Sequence, residues 1–155
     1  MKFKPQVAPN KCAILPISSA PEMNAVVDEI AADLMNSDIS TWVDKSGASL
    51  GRRYARADEV GVPFALTVDF ETLQDHSVTL RERDSMVQVR LPKEEVTKLI
   101  FDVVHGKSTW EKIKDKYPVV SVSEDGGAVA ADAGAKTVVE GTARGKFSRP
   151  AEKIL

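Results

Sequence analysis

Two periods of apolar residues alternate along this chain. Lys11 to Ile17 carries the run Cys12-Ala13-Ile14-Leu15, with the length and density of a buried strand. Met23, Val26, Val27, Ile30, Ala31 and Leu34 then recur at helical spacing, which predicts an amphipathic helix packed on a sheet. Pro21 sits in its first turn, and Ser19 with Glu22 has the spacing of a capping box. Residues 39–43 read as a short second strand, with Trp42 as a core residue. Val62 to Asp69 is mostly apolar, as a central strand is. From His76 to Arg83 and from Met86 to Leu91 the period falls to two, with Asp84-Ser85 between them as a turn. That alternation puts Val78, Leu80 and Glu82 on one face, and Thr79, Arg81 and Arg83 on the other. Pro92 opens a further helix whose buried stripe is Val96, Leu99, Ile100, Val103 and Val104, with Gly106 as its stop. Ser108 and Glu111 repeat the capping-box spacing before a short helix carrying Trp110 and Ile113, and Pro118 ends it. The order β-α-β-α-β, hairpin, helix predicts an α/β domain with a central mixed sheet of about five strands and helices packed against it.

Between the second and third strands the pattern carries charge. Asp44, Lys45 and Ser46 lead from a strand end into the glycine loop SGASLG, where Ser49 is the expected N-cap and Gly61 the expected stop of a short helix. At 100° per residue, Leu50, Tyr54 and Ala57 share one narrow face, and Arg52, Arg53 and Arg56 share another. The helix is thus expected to dock by its apolar side and show three guanidinium groups to solvent. From the residues alone these arginines are either a solvated face paired with Asp58 and Glu59, or contacts for RNA phosphates. SGASLG lacks the Gly-Lys-Ser/Thr ending of a nucleotide-hydrolase phosphate loop, and retains only the weak anion affinity of a helix N-terminus.

The 155 residues suit one domain with a real core. A net charge of −2 gives no global signal for nucleic acid, yet leaves room for a local basic face. Cys12 is the sole cysteine, so no internal disulfide forms, which fits a reducing, cytoplasmic setting. With no basic neighbour to activate it, it reads as a small core residue. No apolar run is long enough to span a membrane, and MKFKPQVAP lacks the apolar core of a signal peptide. His76 and His105 lie far apart, and no Cys or His spacing suggests a metal site. Asp69 and Glu71, at the end of the third strand, have no nucleophile or metal-ligand set beside them and read as loop polarity or surface pairing. No nucleophile elbow, zinc signature or dinucleotide fingerprint occurs.

Three segments carry a resemblance. SGASLGRRYARADEVGVPFALTVDF at 46–70, VTLRERDSMVQVR at 78–90 and VAPNKCAILPIS at 7–18 resemble, in the same order, the C-terminal anticodon-binding domain of eukaryotic/archaeal-type glycyl-tRNA synthetase, a class II aminoacyl-tRNA synthetase. The resemblance implies the class II anticodon-binding fold. It implies recognition of the anticodon region of glycine tRNA, in support of glycylation by a separate catalytic domain. It places the hairpin near the anticodon, so that Arg81 and Arg83 would read or hold bases through the planar fork that arginine offers. Glu82 is the weaker candidate, accepting from a cytosine amino group. Arg90 would align near the same surface. Arg52, Arg53, Arg56 and Lys45 would hold phosphates, and Asp44 would accept from a base or orient an arginine. The three motifs of a class II catalytic domain do not occur here, so the chain alone should not aminoacylate. ATP and Mg would bind that other domain, and no cofactor is expected in this chain. The implied partners are glycine tRNA, the catalytic domain and, in the full-length enzyme, a second copy.

Residues 1–10 read as an extended linker whose F-x-P-x-x-A-P-x-K pattern resembles the segment joining the two synthetase domains. With only Met1 and Lys2 before it, the chain is expected to be either a fragment cut at that junction or a freestanding copy. Residues 11–118 form the expected anticodon-binding domain. Residues 119–155, rich in Ala, Gly and charge, read as a flexible tail. The competing function is a freestanding adaptor of the same fold, whose arginines pair with acids on a protein partner.

Overall fold

The computed structural model describes residues 4–122 and 128–130. The chain runs β1 (Cys12–Pro16), α1 (Pro21–Asn36), β2 (Thr41–Val43), α2 (Leu50–Glu59), β3 (Phe64–Val68), α3 (Phe70–Asp75), β4 (Ser77–Glu82), β5 (Gln88–Pro92), α4 (Lys93–Val104), α5 (Trp110–Lys116), β6 (Val119–Val122) and β7 (Ala128–Ala130). One sheet has the order β2-β1-β3-β4-β5-β6-β7. β1 is parallel to β2 and β3, and every later pairing is antiparallel.

Crossover handedness places the helices. From β1 the chain steps outward through α1 to β2, then back past β1 through α2 to β3. Right-handed crossovers in opposite directions put their helices on opposite faces. Alternate residues of β1 and β3 accordingly feed two cores. Cys12, Ile14, Phe64, Leu66 and Val68 pack with Met23, Val27, Ile30 and Leu34 of α1 and Val96 and Ile100 of α4. Ala13, Leu15 and Ala65 pack with Tyr54 and Ala57 of α2, flanked by Trp42 and Leu50. The small residues on this second face let α2 lie close to the sheet. Both strands are buried along their whole length, as strands covered on two faces are.

Helix α2 begins at Ser49, whose side chain accepts from the Arg52 N–H. It ends in a Schellman turn: Val62 N–H bonds Ala57 O at 3.0 Å, and Gly61 N–H bonds Asp58 O at 3.1 Å. Gly61 takes a φ of 79°, which a residue without Cβ adopts at no steric cost.

Several expectations are corrected. The sheet has seven strands, because β6 and β7 add to the edge of β5 inside the stretch read as tail. The remaining tail residues, 123–127 and 131–155, lie outside the described residues. Residues 70–75, for which no element was expected, form α3, which Asp69 and Thr72 open with a reciprocal capping box. Helix α1 takes Ala20 as N-cap with no side-chain bond, so Ser19 and Glu22 form no box. Pro21 has no N–H to satisfy there, and the Ser18 hydroxyl accepts from Ala20 N–H at 3.2 Å. In α5 the cap is Thr109, one residue beyond Ser108, so the box partner falls on Lys112 instead of Glu111. The lead-in before β1 bends into a turn instead of running extended, with Val7 N–H on Lys4 O at 3.0 Å and Ala8 buried.

Candidate nucleic-acid interface

At the C-terminal end of β2 the chain turns through Asp44, a carboxylate only 5% exposed. Its Oδ1 accepts from Ser46 N–H at 2.9 Å and its Oδ2 from Arg56 Nη1 at 3.1 Å. Burial disfavours the charge, but the Ser46 hydrogen bonds and the Arg56 and Arg53 guanidinium groups together hold the carboxyl below its ordinary range. Asp44 thus anchors Arg56, which remains half exposed. Lys45, also half exposed, pairs with Asp28 of α1 at 3.1 Å. Arg52 is exposed.

Arg53 departs from the expected solvent face, since it is only 4% exposed. Its Nη1 donates to Pro16 O at 2.5 Å and to Asp44 O at 3.3 Å. The reason is position. The first turn of α2 lies over the ends of β1 and β2, where strand carbonyls have no ladder partner and need a donor. The basic face of α2 therefore consists of Arg52 and Arg56, with Arg53 tying the helix to the sheet.

The hairpin arginines are buried like Arg53. The alternation holds: Val78 and Leu80 enter the first core, while Arg81 and Arg83 point toward α2. On that side, however, α2 occupies them. Arg81, only 7% exposed, grips Asp58 through two nitrogens and lies 4.7 Å from the Tyr54 ring centroid. Arg83, also 7% exposed, donates Nη1 to Gly61 O at 3.0 Å and Nε to Asp84 at 3.1 Å. The Asp58 carboxylate in the last turn of α2 holds Arg81, and the Gly61 carbonyl just beyond the helix end holds Arg83. Glu82, considered for a cytosine contact, instead accepts the backbone N–H groups of Asp84 and Ser85 at 3.0 and 2.8 Å and shapes the turn.

Arg90 aligns with Thr79 across β4 and β5, on the face predicted for it. It is bound by Asp69 through two nitrogens, with Glu71 at 3.3 Å and Asp75 at 3.8 Å. Burial opposes its charge, yet the Asp69 bonds and the three carboxylates keep the guanidinium more basic than usual. Asp69 and Glu71, read as loop polarity or surface pairing, belong to an ion cluster around Arg90, and Asp69 also caps α3. The Asp69-x-x-Thr72 spacing was the available signal for that cap.

Cys12 is fully buried, which pushes its thiol up to about 12. Among the described residues no group of three or more His, Cys, Asp or Glu is placed to hold a metal ion, and no helix is long and apolar enough to cross a membrane.

Residues 11–102 match the model of the anticodon binding domain family. The chain belongs to this family. The chain is 50% identical over 115 residues to a Bombyx mori glycine–tRNA ligase, a match covering 74% of the chain and 16% of that protein. It is 46% identical over 125 residues to Saccharomyces cerevisiae glycine–tRNA ligase 1, mitochondrial, covering 80% and 18%. It is 40% identical over 133 residues to a Bifidobacterium longum glycine–tRNA ligase, covering 82% and 27%. The anticodon-binding domain is thus of the kind its three sequence segments indicated, and the chain spans about a sixth to a quarter of the length of these curated relatives. A prolyl-tRNA synthetase from Cryptosporidium parvum shares the fold, with a TM-score of 0.64 at 22% identity over 69% of this chain and 23% of that one.

Within this anticodon-binding domain, the accessible cations of the predicted set are Arg52, Arg56 and Lys45, all around the start of α2. Arg53, Arg81, Arg83 and Arg90 are engaged by the protein itself. Sequence reasoning overlooked Tyr54 as an organiser. Its ring supports Arg81 and its hydroxyl meets Thr67 Oγ1 at 2.5 Å.

Proposed function

We propose that this domain binds the anticodon stem and loop of a glycine tRNA and so supports glycylation on a separate class II catalytic domain. The observation that carries this reading is the 40–50% identity to glycine–tRNA ligases across the segment that forms the fold. Arg52, Arg56 and Lys45 hold backbone phosphates, and Asp44 fixes the direction of Arg56. Arg81 and Arg83 shape the hairpin beside them, and Arg90 holds α3 against the sheet. Either hairpin arginine reaches a base only by giving up a protein partner, so they act as positioning residues. Backbone contacts set register and the few base contacts specify. ATP and Mg act on the catalytic domain, and the dimer belongs to the full-length enzyme. The setting is the cytoplasm. An isolated domain binds weakly, because it has lost the second contact region that raises effective concentration.

The test is binding of the chain to glycine tRNA at low and moderate salt, beside a transcript with two anticodon bases changed. Preference for the native anticodon supports the reading. Equal, steeply salt-dependent binding to both reduces the domain to an electrostatic holder. No binding at low salt overturns it.

A further inference from the structure

Adjacent parallel strands β1 and β2 send their chains to opposite faces, into α1 and α2. Such a divergence opens a crevice beyond the carboxyl ends of the strands, the place where open α/β sheets take ligands. Here it is a cleft of about 320 Å³ walled by Pro16, Asn24, Lys45, Gly47, Ala48 and Arg53, among others. The N-termini of both helices converge on it. None of the residues described along its walls is acidic. Helix α1 contributes an N-terminus without a side-chain cap, which leaves N–H groups and positive potential to be met.

Two side-chain atoms of the cleft residues lack partners. Arg53 Nε, on a residue only 4% exposed, has no acceptor, and Asn24 Oδ1 has no donor. Of the other two guanidinium nitrogens, Nη1 is occupied by Pro16 O and Asp44 O, and the Asn24 amide nitrogen is occupied by Ser19 O at 3.1 Å. A buried unpaired polar group is costly, and a pair of opposite kinds at one cleft describes a ligand with both an anionic oxygen and a hydroxyl.

We propose that this cleft takes one ribose-phosphate unit of an RNA. The phosphate oxygen accepts from Arg53 Nε–H beside Lys45 and the helix N-termini, and a ribose 2′-hydroxyl donates to Asn24 Oδ1. Both atoms are shielded from solvent, so the Arg53 and Asn24 side chains both shift as the unit enters. The 2′-hydroxyl is the group that separates RNA from DNA at such a site. This inference rests on the RNA-binding reading and adds to it a specific pocket and a preference for ribose.

The test is a titration of the ¹⁵N-labelled full chain, following the Arg53 Nε–H and the Gly47 and Ala48 amide resonances. Three probes are used: inorganic phosphate, an anticodon-loop oligoribonucleotide, and its 2′-deoxy counterpart. Phosphate and RNA should both shift these signals. The deoxy strand should bind about 3- to 10-fold more weakly, the worth of one net hydrogen bond. Asn24→Ala should abolish that difference without abolishing the phosphate response. Lys45→Ala should weaken both strands alike. If tRNA binds by anisotropy while the Arg53 signal stays still, the pocket is overturned and the RNA reading stands. If phosphate moves the signal but no RNA binds at low salt, the RNA reading fails and the cleft is a small-anion site. Equal affinity for ribo and deoxy strands overturns the role of Asn24.

Discussion

Arg81 and Asp58 form a forked ion pair between β4 and α2, with N···O distances of 3.0 and 3.2 Å. The guanidinium also covers the Tyr54 ring, so the pair closes α2 onto the sheet beyond the reach of its apolar face. Both partners are largely withdrawn from water. Removing one therefore leaves the other poorly solvated and unpaired.

Arg81→Ala should destabilise the domain by about 2–4 kcal/mol, from a broken pair and a lost ring contact. Arg81→Lys should recover little of this, because an ammonium cannot span both carboxylate oxygens. In urea unfolding, Arg81→Ala with Asp58→Ala should cost less than the sum of the two, by about 1–3 kcal/mol of coupling. Strict additivity would show that the pair does not lock α2. If folded Arg81→Ala loses tRNA affinity only in proportion to its unfolded fraction, the residue positions the site without touching RNA.

Arg52→Ala should leave stability within about 0.5 kcal/mol, since the side chain is exposed. It should lower the slope of log affinity against log salt by about 1, the signature of one lost phosphate contact. An unchanged slope with unchanged affinity would remove Arg52 from the interface.

Asp69 serves two structures at once, accepting from Thr72 at the start of α3 and from two nitrogens of Arg90. Asp69→Ala should cost about 2–4 kcal/mol, combining a lost cap with a broken buried pair. Asp69→Asn should cost less, because an amide oxygen can still cap. Equal losses in thermal unfolding would show that charge, not capping, dominates at this position.

The pH dependence near Asp44 has a definite sign. Its folded carboxyl lies below the ordinary value, held there by Ser46, Arg56 and Arg53 against the cost of burial. Its contribution is complete above the unfolded value of about 3.9 and is lost as pH falls through the lower folded value. Acid titration followed by circular dichroism should show Asp44→Asn to be less stable than the parent at neutral pH, with the gap narrowing below that range. A constant gap at all pH values would place the origin in packing.

The Cys12 thiol, pushed up to about 12 by burial, should stay protonated and unreactive toward a disulfide reagent at pH 8. It should react at the unfolding rate, then quickly in denaturant. Because the folded thiol is the weaker acid, its linkage contribution is lost as pH climbs above the unfolded thiol value of about 8.5. Fast labelling of the native domain would contradict the burial.

Local periodicity carried most of the fold. Met23 to Leu34 could bury its stripe only as a helix, and the alternation at 78–90 could only be a hairpin. Opposite crossovers then constrain the layers, since α1 and α2 cannot share a face. What periodicity missed were elements stabilised by distant partners. Helix α3 is six residues long and depends on Asp69, which Arg90 holds from another strand. The first residues of β6 gain their worth only from the open edge of β5. Three ordered segments also marked the family, because motif order is a property of the chain itself.

The fate of the arginines shows where sequence stopped. Arg52, Arg53 and Arg56 are alike in type and share a helix face, and Arg81, Arg83 and Arg90 fall on one sheet face by strict alternation. The sequence by itself determined the sheet face of Arg81, Arg83 and Arg90, because side-chain direction in a strand follows from backbone period, but Arg53, at the margin of the α2 face, turned inward. Only the tertiary structure decided which remain available. The end of β1 captures Arg53, the C-terminal turn of α2 captures Arg81 and Arg83, and the start of α3 captures Arg90. A guanidinium goes to the nearest unsatisfied oxygen, and which oxygen is nearest depends on residues tens of positions away in the chain.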